Sequence, residues 1–131
     1  MWLSRRVSCG LRLLVLIAKE PERLQSARPL AEREGLPETF VRQILLRLRK
    51  AGFLEAERGR QGGYKLARPP EKIRIAAVLR ALEEDLGLYL AGKRGRGLRS
   101  PGKDDFTAPF WDRMEKKFWE LLEEASLADL L

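Results

Sequence analysis

Two groups of side chains in this 131-residue chain have the types and spacing for chemistry, and in both the chemistry is recognition rather than bond making. Thr39, Phe40, Arg42, Gln43 and Arg47 fall within ETFVRQILLRLRK, residues 38–50. Arginine presents two parallel donors that match a guanine edge, and a glutamine amide matches adenine in the same two-bond manner. The second group lies in ERGRQGGYKLAR, residues 57–68, where Arg58, Arg60 and Gln61 stand among glycines ahead of Tyr64. Glycine with arginine suits a phosphate, either of a nucleotide or of a duplex. RGRQGG lacks the Lys-Ser/Thr ending of a nucleotide loop, and an alternating stretch follows it rather than a helical one. Arginines on a hairpin instead suit the phosphates or a narrow minor groove of DNA. A charged turn with no ligand is the plain alternative.

Catalysis and metal binding lack the necessary side chains. The chain has no histidine and a single cysteine, Cys9, so it contains no internal disulfide and no Cys/His zinc site. No nucleophile–base pair stands at sensible positions, which argues against an enzyme. We expect no metal site and no cofactor. Cys9 precedes an apolar run and reads more readily as a small buried hydrophobe than as a redox-sensing thiol. That run, Leu13 to Ala18, is far too short to span a bilayer. Arg5-Arg6 imitates a signal peptide, but no small-residue cleavage site follows and Lys19-Glu20-Pro21 ends the run, so the expected location is the cytoplasm, with no membrane partner. The formal charge of +7 is unevenly placed. Residues 1–70 hold 15 Lys+Arg against 7 Asp+Glu, while residues 71–131 are nearly balanced at 11 against 12. A basic front of this kind points to double-stranded DNA as partner.

The elements that must position these residues follow from periodicity and breakers. Ser4 caps a first helix with Val7, Leu11, Leu14, Val15 and Ala18 on one face and Leu13, Leu16 and Ile17 widening it. Its apolar breadth calls for cover on two sides, by its own core and by a partner chain. Lys19 to Arg28 form a polar connection. Pro29 opens a short helix, Leu30 to Glu34, which Gly35 stops. Pro37 and Glu38 favour the start of the next helix, with Phe40, Ile44, Leu45 and Leu48 as its buried stripe and Gly52 as its left-handed cap. Two strands, Phe53–Arg58 and Gly63–Ala67, flank the connection Gly59-Arg60-Gln61-Gly62. A fourth helix spans Ile75–Glu84, with Ala76, Leu79 and Leu82 inward.

The remainder changes in texture. Residues 86–109 are rich in glycine and basic residues and read as a flexible basic loop. From Phe110 to about Ala125 a long helix carries Trp111, Met114, Phe118, Leu121 and Leu122 as an apolar stripe, with Trp119 beside it. So much apolar area on a terminal helix needs cover, and pairing with a second copy supplies it. Ser126 caps a last short helix, Leu127–Leu131. The expected fold is therefore mainly α with a small β-hairpin. It comprises a winged helix-turn-helix domain at 1–85, a loop at 86–109, and a C-terminal dimerisation helix and short terminal helix at 110–131.

Three stretches carry a family resemblance: PLAEREGLPETFVRQILLRLRKAGFLEAERGRQGGYKLARPPEKI, the following AAVLRALEED, and the C-terminal FWELLEEASLADLL. On these the chain resembles the small bacterial winged-helix regulators that include IscR, NsrR and CymR. The resemblance implies a homodimeric, sequence-specific transcription regulator. By that resemblance the helix around Thr39 to Arg42 is expected to read bases, the glycine hairpin to be the wing, and the long C-terminal helix to pair with its mate. Together these readings give a repressor on a palindromic operator. The alternative is a winged-helix adaptor for protein interaction, controlled by a partner protein; an effector is left open. Two departures stand out. Arg60-Gln61 replaces the Pro-Gly found in many members, and residues 86–109 lack the three cysteines of cluster-binding relatives. Iron–sulfur clusters need several thiolates, so none is expected here.

Overall fold

The computed structural model describes residues 4–82 and 106–131. Five α-helices and a two-stranded antiparallel hairpin are present among them: α1 (Arg5–Ala18), α2 (Ala27–Glu34), α3 (Glu38–Lys50), β1 (Leu54–Glu57), β2 (Gly63–Leu66), α4 (Ile75–Leu82) and α5 (Ala108–Glu124). Short 3-10 turns cover Pro70–Lys72 and Leu127–Leu130. The expected loop at 86–109 lies, as far as residue 105, outside the described residues. No helix among the described residues is long and apolar enough to cross a membrane.

α1 begins where Ser4 Oγ accepts the Val7 N–H at 3.1 Å, satisfying one of the donors that a helix start leaves unpaired. It buries Val7, Leu13, Leu14 and Ile17, while Leu11, Val15 and Leu16 stay half-buried. The inward face is thus turned from the expected Val7–Leu11–Leu14–Val15 line towards Leu13 and Ile17. Leu11, Val15 and Leu16 border an open groove completed by Arg12, Glu34 and Leu130. Glu34 is itself held there by Arg12 Nε at 2.6 Å.

α2 starts at Ala27, three residues before the expected Leu30, so Pro29 falls inside its first turn. A first-turn proline loses no hydrogen bond, because that N–H has no intrahelical partner. Gly35 ends the helix at φ 65°, in the left-handed region that glycine enters without strain.

α3 buries Val41, Ile44, Leu45 and Leu48. The expected stripe had Phe40 in place of Val41; Phe40 is half-buried at the edge, and its ring lies 5.4 Å beneath the Arg5 guanidinium. The end of α3 sets the direction of the hairpin. Gly52, at φ 86°, donates its N–H to the Arg49 carbonyl, and Phe53 donates to Leu48, both at 3.0 Å. This is a Schellman cap, and it drops Phe53 and Leu54 into the core as β1 begins.

The C-terminal segment closes the same core. Ile75 N–H donates to the Ala125 carbonyl at 3.0 Å, and Leu127 N–H donates to the Ile73 carbonyl at 2.8 Å. Leu127 is fully buried, and Ser126 with Asp129 forms a capping box over the last turn. α5 packs Phe118, Trp119 and Leu122 partly against the core, and Ala125 just beyond it does the same. Arg80 of α4 ties it down by stacking 4.2 Å from the Trp119 ring and pairing with Glu123 at 2.6 Å.

Candidate nucleic-acid interface

With its apolar line committed inward, α3 turns Thr39, Arg42, Gln43 and Arg47 outward, and all four are exposed. Three of these four can donate hydrogen bonds from planar or charged groups, the chemistry needed at base edges and phosphates. Arg42 is held in place by its own helix. Its Nε and Nη2 both donate to Glu38 Oε1, at 3.0 and 2.6 Å. That contact occupies one edge of the guanidinium and leaves the Nη1–Nη2 fork for a bidentate acceptor such as guanine. From sequence, Glu38 has only a first-turn role; its spacing of four residues ahead of Arg42 is the signal that could have found the pair.

The hairpin connects Glu57, paired with Gly63, through residues 58–62, with the Gly62 N–H donating to the Gly59 carbonyl at 3.1 Å. It is rooted by space as much as by hydrogen bonds. A Cβ on Gly62 would stand 2.1 Å from the Glu57 carbonyl oxygen, and one on Gly63 would stand 2.8–2.9 Å from the backbone of Gln25. Arg58, Arg60 and Gln61 project from the tip, exposed, and neither arginine has an ion-pair partner among the described residues. Tyr64 is placed differently. It sits in β2, half-buried against the core, so its ring supports the hairpin from within. Phe40 likewise backs the α3 surface rather than projecting from it.

The stripe expected on α5 splits into two faces. Phe118 and Leu122 lean on the protein's own core, and Trp111 is half-buried with its ring edge-on to Phe110 at 4.8 Å. Met114 and Leu121 point to solvent together with Phe110, at 38%, 65% and 45% exposure. These three lie four and seven residues apart and so share one line along the helix.

A helix with a mostly polar outward face, a shorter helix braced behind it and a glycine-rooted hairpin on one core define a winged helix-turn-helix protein of mainly helical architecture. The family model of the Rrf2 regulators, described as iron-dependent transcriptional regulators, matches residues 3–131, and the chain belongs to that family. It is 31% identical over 119 residues to the helix-turn-helix regulator IscR of Cereibacter sphaeroides, covering 90% of this chain and 77% of that one. Among solved structures, CymR, the global cysteine regulator of B. subtilis, matches with a TM-score of 0.75 at 28% identity, covering 99% of this chain and 95% of that chain. T. potens IscR matches with a TM-score of 0.74 at 31% identity, covering 99% and 85%. The protein is accordingly a transcriptional regulator and not an enzyme.

The iron in the family's description requires a donor set. The whole chain offers one thiol and no imidazole. That thiol, Cys9, is buried in α1, where desolvation first and then Glu34 push its pKa up, against the opposing pull of Arg5 and Arg12. A raised pKa disfavours the thiolate that binds metal. No group of three or more His, Cys, Asp or Glu among the described residues is placed to hold a metal ion. The residues do not fit an iron–sulfur cluster.

Proposed function

We propose that the protein is a cytoplasmic, homodimeric repressor that reads a two-fold DNA operator without an iron–sulfur cluster. The observation that carries this reading is the outward face of α3, where Arg42 keeps a free fork beside Thr39, Gln43 and Arg47. These side chains enter the major groove, while Arg58, Arg60 and Gln61 of the wing meet phosphates or the minor groove. Pairing of two chains through the Phe110–Met114–Leu121 line, with Trp111, Phe118 and Leu122 beside it, covers apolar surface that one chain leaves in water. A dimer then presents two copies of α3 about 34 Å apart, one helical turn of DNA.

The test is selection of duplexes from genomic fragments with purified protein, followed by binding titrations at several salt concentrations. The reading expects palindromic sites and an affinity that falls steeply with salt as counterions are released. Binding that is absent, or indifferent to salt, overturns it. A stoichiometric protein partner recovered with no DNA affinity in isolation supports the adaptor reading instead. Anaerobic reconstitution followed by iron and sulfide analysis checks the cluster separately, and stoichiometric retention of both would refute a cluster-free regulator.

A further inference from the structure

A two-stranded hairpin is marginal by itself in water, so whatever roots the wing also sets where its arginines can reach. β2 has a second backbone neighbour besides β1. The Tyr64 N–H donates to the Gln25 carbonyl at 2.8 Å and the Gln25 N–H donates back to Tyr64 at 3.0 Å, an antiparallel bridge from the α1–α2 connection. The Gln25 side chain continues the link. It is buried, and its Nε2 donates at 2.9 Å to the Leu16 carbonyl in the last turn of α1. That carbonyl needs a partner from outside the helix, because the Glu20 N–H four residues on goes to Ile17 instead, at 3.3 Å. The approach of Gln25 is close enough to exclude any side chain at Gly63.

We infer that Gln25 is a positioning residue for the wing: through Leu16 and Tyr64 it fixes the hairpin root to α1, and thereby the reach of Arg58 and Arg60 onto the DNA backbone. The inference rests on the wing reading above. The two bonds to Tyr64 are backbone and survive substitution, whereas the bond to Leu16 belongs to the side chain. Gln25→Ala therefore loosens the root without removing an arginine, and Gln25→Glu puts a carboxylate against the Leu16 carbonyl in nearly the same shape.

The experiment is a double-mutant cycle on the full-length protein with a selected operator duplex, read as affinity against salt. Arg58→Ala/Arg60→Ala lowers the salt slope by about 1.8, at roughly 0.9 for each phosphate no longer neutralised. Gln25→Ala and Gln25→Glu are expected to lower the slope in the same direction, and adding the arginine pair to either should then change affinity less than twofold. Base preference read by α3 stays as in the parent. A variant that merely unfolds reduces the binding fraction without altering the slope. If Gln25→Ala folds poorly, Gly63→Ala strains the same joint with Gln25 intact and must reproduce the reduced slope. Full additivity between the Gln25 and arginine substitutions overturns the inference, as does an unchanged slope in both Gln25→Glu and Gly63→Ala. Should the arginine pair itself leave affinity unchanged while Arg42→Ala weakens it, the wing reading has failed, and this inference with it.

Discussion

α3 and α5 are both amphipathic helices, 13 and 17 residues long, yet they stand in opposite relations to the protein core. α3 sinks Val41, Ile44, Leu45 and Leu48 almost completely, and its outward face is polar apart from Leu46. No residue of α5 is buried among the described residues, although the helix carries more aromatic surface. Periodicity alone shows that a helix has an apolar side; it does not show what that side meets. Among the described residues, α3 is completed by its own chain and presents mainly polar groups outward, whereas α5 leaves Phe110, Met114 and Leu121 exposed.

The sharpest way to break this contrast is to damage each apolar line in turn. Leu45→Ala should destabilise the protein by about 2–5 kcal/mol, the usual cost of a cavity under a buried leucine, measured by denaturant unfolding. Met114→Glu combined with Leu121→Glu should leave the protomer folded but shift sedimentation towards the monomer and weaken operator binding about 100-fold through lost bivalency. A large loss of protomer stability in that variant, with assembly intact, would show α5 to be an ordinary core helix. On the other side of the contrast, Arg42→Ala should cost about 1–3 kcal/mol and relax preference at one base position, and competition among variant duplexes measures both. Arg60→Ala should weaken all sequences alike and lower the salt slope by about 1. The smallest effect is on pH dependence. The native Cys9 thiol titrates above its ordinary value, so its contribution to stability is complete below about pH 8.5 and declines as pH rises towards the native value. Urea titrations from about pH 7.5 to 9.5 of the parent and of Cys9→Ala should differ in this slope.

What could be read in advance divides along the same line. α1, the end of α3 and the hairpin announce themselves through local signals: Ser4 as a cap, Gly52 as a left-handed terminator, and glycines bracketing Arg60-Gln61. The start of α2 is harder to find, because Pro29 is a strong initiator and the true cap, Ser26, makes no side-chain capping bond to advertise itself. Phe40 and Val41 are adjacent in the chain, and only the packed partner helices decide which turns inward. Gln25 carries no signal at all. Its role comes from two contacts, one nine residues back and one in β2, that no periodicity encodes. The α5 stripe is visible as a single feature, but its division between Phe118–Leu122 and Met114–Leu121 depends on where α4 lies against it.

The seal made by Leu127 has a consequence for how the protein is born. Ile73 and Ile75 leave the ribosome roughly 50 residues before Ala125 and Leu127, which is about 3–10 s at ordinary rates of synthesis. During that interval the helix-turn-helix can collapse, but the site that Leu127 fills remains open. The stretch of chain that plugs it follows directly from α5, so the plug is made soon after the exposed Phe110–Met114–Leu121 line. A nascent chain thus closes its interior only once α5 and the segment after it have been made.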